Sequence, residues 1–325
     1  MPGLLTLTTP ADLPAHLRGA VAAIGNFDGV HRGHQAVLDL ALERGRATGR
    51  PVVAVTFEPH PRTLFKPEAP VFRLTPAPVK ARLMRALGTD AVLVLPFTRD
   101  FAALTAEAFV RDILVDGLGI GHAVVGWDFH FGARRGGSPA FLTAAGHLDG
   151  FGVDVIPAFA AEDGALVSSS RIRDALAVGD VSLANGLLGY RWFSLAEVVH
   201  GAKRGRTLGI PTANMELGAD CRLAHGVYAV TFRVDGETRA GVANFGRRPQ
   251  FDNGAPLLET HVLDFDGDLY GRTAAVAFLA RLRPELKFAG VDALIAQMHA
   301  DIAEARAVVA ALPPGSALDR ALDDL

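Results

Sequence analysis

The feature that most constrains this chain is a change of texture near its middle. Up to about Gly179, short apolar runs alternate with helical patterns. Ala20–Ile24, Val52–Phe57, Ala91–Leu95, His122–Val125 and Val153–Ile156 read as strands; Gln35–Ala47, Val79–Leu87, Thr105–Leu114 and Pro139–Ala145 read as helices. Strands apolar on both faces must be covered on both faces. The expectation is therefore an α/β unit, a parallel sheet between helices with ligands at the carboxyl ends of its strands. Past Gly179 the runs Leu195–Val199, Gly226–Val234, Arg239–Asn244, Leu258–Leu263 and Ala274–Ala280 follow one another with no helix between them, and Asp235-Gly236 is a hairpin signal. That pattern predicts an antiparallel barrel or sandwich. A stripe of Val291, Leu294, Ile295, Met298, Ile302, Ala305, Val309 and Leu312 at helical spacing then predicts a terminal helix, stopped by Pro313-Pro314-Gly315. The boundary is expected near Gly179–Gly189, giving domains 1–184 and 185–325. Pro67–Pro78, with four prolines, reads as a mobile loop.

Composition narrows the function. At 325 residues the chain suffices for two domains with real cores. A single cysteine, Cys221, allows no intrachain disulfide and too few thiolates for a structural zinc site. Residues 1–184 carry 17 Lys+Arg against 18 Asp+Glu, and residues 185–325 carry 15 against 17, so −1 and −2 make up the net −3. Neither half has the basic excess of a nucleic-acid binder. A small phosphorylated ligand, which needs only local donors, stays open. Met1–Leu17 lacks the basic start and apolar run of a signal peptide, and no run approaches the ~18 apolar residues of a membrane span. The expected compartment is the cytoplasm, with no membrane partner.

Chemistry is expected first in Gly25-Asn26-Phe27-Asp28-Gly29-Val30-His31-Arg32-Gly33-His34, where the first strand hands over to the first helix. Helix-start amides and the helix dipole favour an anion there, and glycines let it approach the main chain. His31 and His34, three apart, project from the first turn toward one point, where they can donate to a phosphate in a charged transition state. Taken alone, His-x-x-His is also compatible with a plain strand-to-helix turn or a stray metal site. Ser168-Ser169-Ser170-Arg171-Ile172-Arg173 opens a short helix whose hydroxyls and arginines suit a polyphosphate, or serve only as cap and surface charge. Thr56–Pro61 and Gly126–Gly132 follow strands directly, so their aromatic residues can stack on a flat ring or simply edge the core.

In the second half, the glycines at 201, 205 and 209 allow a loop whose amides wrap phosphates, or a flexible hairpin. Thr212 and Asn214, two apart, offer neutral oxygens suited to a magnesium ion shared with nucleotide phosphates. Glu259, in Leu257–Leu263, reads on its own as a solvent-facing acid in a strand.

Residues 15–185 resemble the nucleotidylyltransferase module of bacterial bifunctional FAD synthetases, through Gly25–His34, Phe57–Pro61, Gly126–Gly132 and Ser169–Arg173. The second half resembles the riboflavin kinase barrel of the same proteins, through Val198–Asn214, Gly226-Val227-Tyr228, Asn244–Pro249, Leu269-Tyr270-Gly271 and Leu286-Lys287-Phe288. The resemblance implies phosphorylation of riboflavin to FMN with release of ADP, then adenylylation of FMN to FAD with release of pyrophosphate. It implies Glu259 as the base for the riboflavin 5′-hydroxyl, Thr212 and Asn214 as ligands of Mg–ATP, and His31 and His34 on ATP phosphates. Expected phosphate contacts are Gly25, Phe27, Gly33, Ser169, Arg173, Gly201, Gly205 and Gly209; expected flavin contacts are Pro59, His60, Asp128 and Phe129. One departure is Ala196, where members usually carry Gly. Two other readings remain: a transferase that adenylylates a different phosphate or carboxylate, and a flavin-binding protein without turnover.

Overall fold

A computed structural model describes residues 5–201, 210–247 and 256–322. The chain forms two compact units, Met1–Ser169 and Ser170–Leu325.

The first unit is a six-stranded, all-parallel sheet of β1 (Thr6–Leu7), β2 (Val21–Ile24), β3 (Val52–Glu58), β4 (Ala91–Pro96), β5 (His122–Gly126) and β6 (Gly152–Ile156) in the order β1-β4-β3-β2-β5-β6. Four strands match the apolar runs closely, since Val21–Ile24, Val52–Val55, Ala91–Leu93 and Ala123–Val125 are all buried. The edge strand β1 was not expected; with two residues it is too short to carry a pattern. Chain direction across the sheet reverses at β2, which pairs β3 on one side and β5 on the other. The crevice at that switch point is where such sheets bind ligands. Helix α1 (Arg32–Thr48) packs on β2, β3 and β5, α2 (Ala77–Ala86) on β4, and α3 (Phe109–Leu118) and α4 (Pro139–Asp149) on each other. Pro67–Pro78 is not a free loop: Val71, Phe72, Leu74 and Thr75 are buried, and α2 begins within its last residues.

Helices α5 (Ser169–Val178) and α6 (Val181–Leu188) group with the second unit, ahead of the expected boundary. Main-chain and amide bonds explain why. The Ala224 N–H donates to Leu176 O, Asn185 Nδ2 to Phe278 O, and the Trp192 N–H to Asn185 Oδ1.

The second unit closes as an antiparallel barrel of β7 (Phe193–Val199), β8 (Ala213–Glu216), β9 (Gly226–Val234), β10 (Glu237–Arg247), β11 (Pro256–Val262) and β12 (Thr273–Arg283), ordered β10-β11-β8-β7-β12-β9. The expected hairpin at Asp235-Gly236 joins β9 to β10, with both residues at positive φ. Val198, Met215, Leu258 and Phe245 share one register and fill the interior. The terminal helix α7 (Val291–Ala310) lies on β9, β10 and β12 through Ala305, Val308 and Val309. Its stripe differs from expectation at both ends of the hydropathy scale: Val291 is exposed, while Asp301 is buried and takes a bidentate ion pair from Arg283. Among the described residues no helix is long and apolar enough to cross a membrane.

Candidate active sites

The β2–α1 turn is built under strain and held from several directions. Phe27 and Val30 sit at φ of 49° and 37°, a region costly for side chains of this kind. Bonds from distant segments over-determine that shape. Asp28 Oδ1 accepts from the Leu74 and Thr75 N–H groups at 3.0 and 3.2 Å, and the Gly29 N–H donates to Thr75 Oγ1 at 3.0 Å. Ser169 Oγ donates to the Asp28 carbonyl at 2.7 Å, which brings one member of the serine cluster to this turn. Arg173 lies one helical turn along α5 from Ser169, so the two share a helix side.

His31 caps α1, its Nδ1 accepting from the His34 N–H at 3.3 Å, and the two imidazoles stack with centroids 3.6 Å apart. Burial first, then His31 and the Lys80 charge, holds His34 well below the usual imidazole range, so it is neutral at pH 7 and offers one N–H. His34 Nδ1 has no partner among the described residues. Gly33 and Gly25 serve the rings as much as any ligand. A Cβ at Gly33 would crowd the His31 ring at 3.3 Å, and one at Gly25 would crowd Phe27 at the same distance. Phe27 is buried and meets His34 edge-on, with centroids 5.3 Å apart.

Beneath this turn lies an ionic cluster that the sequence did not single out. Glu58, at the end of β3, takes a bidentate pair from Arg73 (2.6 and 2.5 Å) and an ion pair from Lys80 Nζ (2.7 Å). Lys80 is only 2 % exposed. Burial alone would raise the Glu58 carboxyl, but the hydrogen bonds and charges of Arg73 and Lys80 outweigh it and hold it below its ordinary value. Burial lowers Lys80, against the raising influence of Glu58. Lys80 is one of four lysines and stands among the buried Val79, Ala81, Leu83 and Met84 of α2. That position in an apolar helix was the available signal.

The expected flavin contacts lie on the loops after β3 and β5. Pro59 is exposed, and His60 caps the short helix Pro61–Phe65 by accepting from the Arg62 N–H at 3.2 Å. Asp128 is exposed, whereas Phe129 stacks on Phe131 (5.3 Å) at the edge of the core. Trp127, 52 % exposed, is the aromatic residue that this loop leaves to solvent.

In the barrel, register does the assembling. Val227, Asn244, Glu259, Asn214 and Val199 are directly paired across β9, β10, β11, β8 and β7. Each is one residue out of phase with the interior row, so this rung faces outward. Glu259 is thus flanked by two asparagine amides. Asn214 is nonetheless buried, and Gly201 lies against it: a Cβ at Gly201 would overlap the Asn214 amide. Asn214 Nδ2 turns to the Thr212 carbonyl at 3.4 Å, leaving Oδ1 buried with no partner among the described residues. A buried, unpartnered amide oxygen beside Thr212 fits a hard cation that takes neutral oxygens. His261, two residues beyond Glu259, donates from Nδ1 to the Pro211 carbonyl at 2.8 Å and anchors the strand entry to Thr212. Tyr270 and His200 face each other at 3.8 Å. Gly205 and Gly209 lie outside the described residues. That Asn244 flanks Glu259 and His261 holds Pro211 is not legible in the sequence, because pairings across 15 and 50 residues carry no local signal.

The family model described as FAD synthetase matches residues 13–171, and that described as riboflavin kinase matches residues 188–309. A bifunctional riboflavin kinase/FMN adenylyltransferase from Pseudomonas fluorescens is 47% identical over 298 residues, 91% of this chain and 95% of that protein. The protein of the same name from Escherichia coli K12 is 43% identical over 289 residues, 89% of this chain and 92% of that one. A crystal structure described as a macrolide-efflux protein from Streptococcus pneumoniae superposes with a TM-score of 0.84 at 30% identity, covering 93% of this chain and 98% of that one.

Proposed function

This chain belongs to the bifunctional riboflavin kinase/FMN adenylyltransferase family, and from that premise we propose how its residues divide the work. The chain phosphorylates riboflavin with ATP, giving FMN and ADP, and adenylylates FMN with a second ATP, giving FAD and pyrophosphate. We assign adenylylation to residues 1–184, because the histidine-bearing turn lies there and Ser169 Oγ bonds to its Asp28 carbonyl, and phosphorylation to residues 185–325. The observation that carries this assignment is that each half has its own constellation: a stacked histidine pair at a helix start, and a carboxylate in register with an amide oxygen that has no partner among the described residues.

In the barrel, Glu259 takes the proton of the riboflavin 5′-hydroxyl as its oxygen bonds to the γ-phosphorus and the bond to the departing ADP breaks. A positioned base of this kind contributes about 10²–10⁴-fold. Asn244 and Asn214 flank the carboxylate and limit its orientation. Thr212 and Asn214 would hold a magnesium ion, which when bound neutralises phosphate charge. Gly201, with Gly205 and Gly209, would leave main-chain donors for the nucleotide.

In the first unit, the FMN phosphate attacks the α-phosphorus of ATP and pyrophosphate leaves. The nucleophile is already an anion, so no base is required. His31, His34 and Arg173 donate to the charge that builds on phosphorus and on the leaving group, each donor supporting about 10²–10³-fold, and Ser169 would join them by turning its hydroxyl away from the Asp28 carbonyl. Gly25, Phe27 and Gly33 shape that turn. Pro59, His60, Asp128 and Phe129 would receive the flavin nucleotide, and the nucleotide substrates favour the cytoplasm as the compartment. A chromatographic time course with riboflavin, ATP and magnesium tests the whole reading. FMN followed by FAD is expected. Riboflavin bound but unchanged would overturn it.

A further inference from the structure

The cluster beneath the β2–α1 turn joins two loops with different tasks. Lys80 Nζ donates to the Asn26 carbonyl and to Thr56 Oγ1, both at 3.0 Å, and pairs with Glu58 Oε1 at 2.7 Å. Thr56 Oγ1 itself donates to the Asn26 carbonyl at 3.0 Å. Asn26 opens the turn that leads to the histidine pair, and Glu58 immediately precedes Pro59 and His60. One ammonium group therefore spends its three donors on the carboxyl ends of two adjacent strands. All three acceptors are protein groups, so Lys80 has no donor left for a substrate. Arg73 extends the cluster from Glu58 toward Asp28, its Nε 3.9 Å from Asp28 Oδ1. Placing a charged lysine at 2 % exposure is expensive unless every donor is satisfied, and here each one is.

We propose that Lys80 is a positioning residue for FMN adenylylation, a buried clamp that sets the spacing between the histidine-bearing turn after β2 and the flavin-side loop after β3. This rests on the assignment of adenylylation to the first unit. In-line transfer needs the FMN phosphate and the α-phosphorus held within a near-attack distance, and an error of about 1 Å costs about 10²-fold in rate. Loss of the clamp therefore lowers kcat far more than it raises KM. Removing a bond that only supports the fold would instead lower the melting temperature and leave kcat intact well below it.

The test is Lys80→Met in the full chain, assayed for FMN to FAD and, as an internal control on folding, for riboflavin to FMN. The expected result is a fall of about 10²-fold in kcat for FAD formation, with KM for ATP and for FMN changed by less than roughly threefold, and the kinase rate retained. Thr56→Val keeps shape but removes the shared hydroxyl; a smaller loss in kcat is expected, and the double variant should be no slower than Lys80→Met alone. FAD formation at the parent kcat in Lys80→Met would overturn the proposal. If His31→Ala is inactive in that same assay, the site assignment stands and only the clamp falls; if His31→Ala also keeps the parent rate, the assignment falls with it. Should Lys80→Met lose both activities, Thr56→Val decides: parent kcat in that variant overturns the clamp.

Discussion

The two candidate sites reach their geometry by opposite routes. In the first unit the candidate residues sit on turns at the end of a parallel sheet, and nothing in strand pairing fixes the distance from one turn to the next. Partners far away in sequence do so instead: Thr75 on Gly29, Leu74 on Asp28, Ser169 on Asp28, Lys80 on Asn26. In the barrel the antiparallel ladder itself aligns Asn244, Glu259 and Asn214. A ladder aligns groups along one rung without extra bonds, whereas turns need a dedicated frame. The first site should therefore be sensitive to changes well away from its reacting groups, and the second mainly to changes on the rung.

Substitutions can break that contrast. The largest effect is expected from Glu259→Ala, which should lower riboflavin phosphorylation by about 10²–10⁴-fold while conversion of supplied FMN to FAD stays near the parent rate. An equal loss of both activities would remove the distinction between sites. Next comes His34→Ala, with an expected loss of about 10²–10³-fold in FAD formation, read by letting FMN accumulate from riboflavin. Asn214→Ala should be milder at saturating magnesium and should raise the magnesium needed for half-maximal kinase rate by at least about tenfold. An unchanged magnesium titration would count against the oxygen ligand.

The smallest effect concerns pH. His34 is held below the usual imidazole range in the folded chain, so the unfolded chain binds more protons as pH falls through and below 6.5. Stability of the first unit should fall in that window and level off once pH drops below the folded value. His34→Asn should flatten the slope, measured as the thermal unfolding midpoint at a series of pH values. An identical slope in both proteins would place the titrating group elsewhere.

Much of this architecture is legible in the sequence because strand and helix periods are local. Val52–Phe57 and Ala91–Leu95 read directly as buried strands, and Asp235-Gly236 as a turn. The His31/His34 pair is legible for the same reason, lying within one turn of a helix start. Lys80 was not, since its partners Asn26 and Thr56 are 54 and 24 residues away. Glu259 illustrates the other limit. By its own strand it is an outward-facing acid, and the structure agrees; what makes it chemically interesting is the Asn214 amide brought beside it by register. Strand β8 escaped because a four-residue strand behind a proline has too little pattern, so Thr212 and Asn214 read as ligands before they read as part of a sheet. Phe129 stacks on Phe131 at the edge of the core, and Trp127 is the exposed aromatic on the same loop.

The most direct test of two separate sites in one chain is to mix two defective proteins. Glu259→Ala and His31→Ala are each supplied with riboflavin, ATP and magnesium, alone and then together at equal concentration. The account predicts no FAD from Glu259→Ala, FMN without FAD from His31→Ala, and FAD from the mixture. A mixture that makes no more FAD than either protein alone would contradict it.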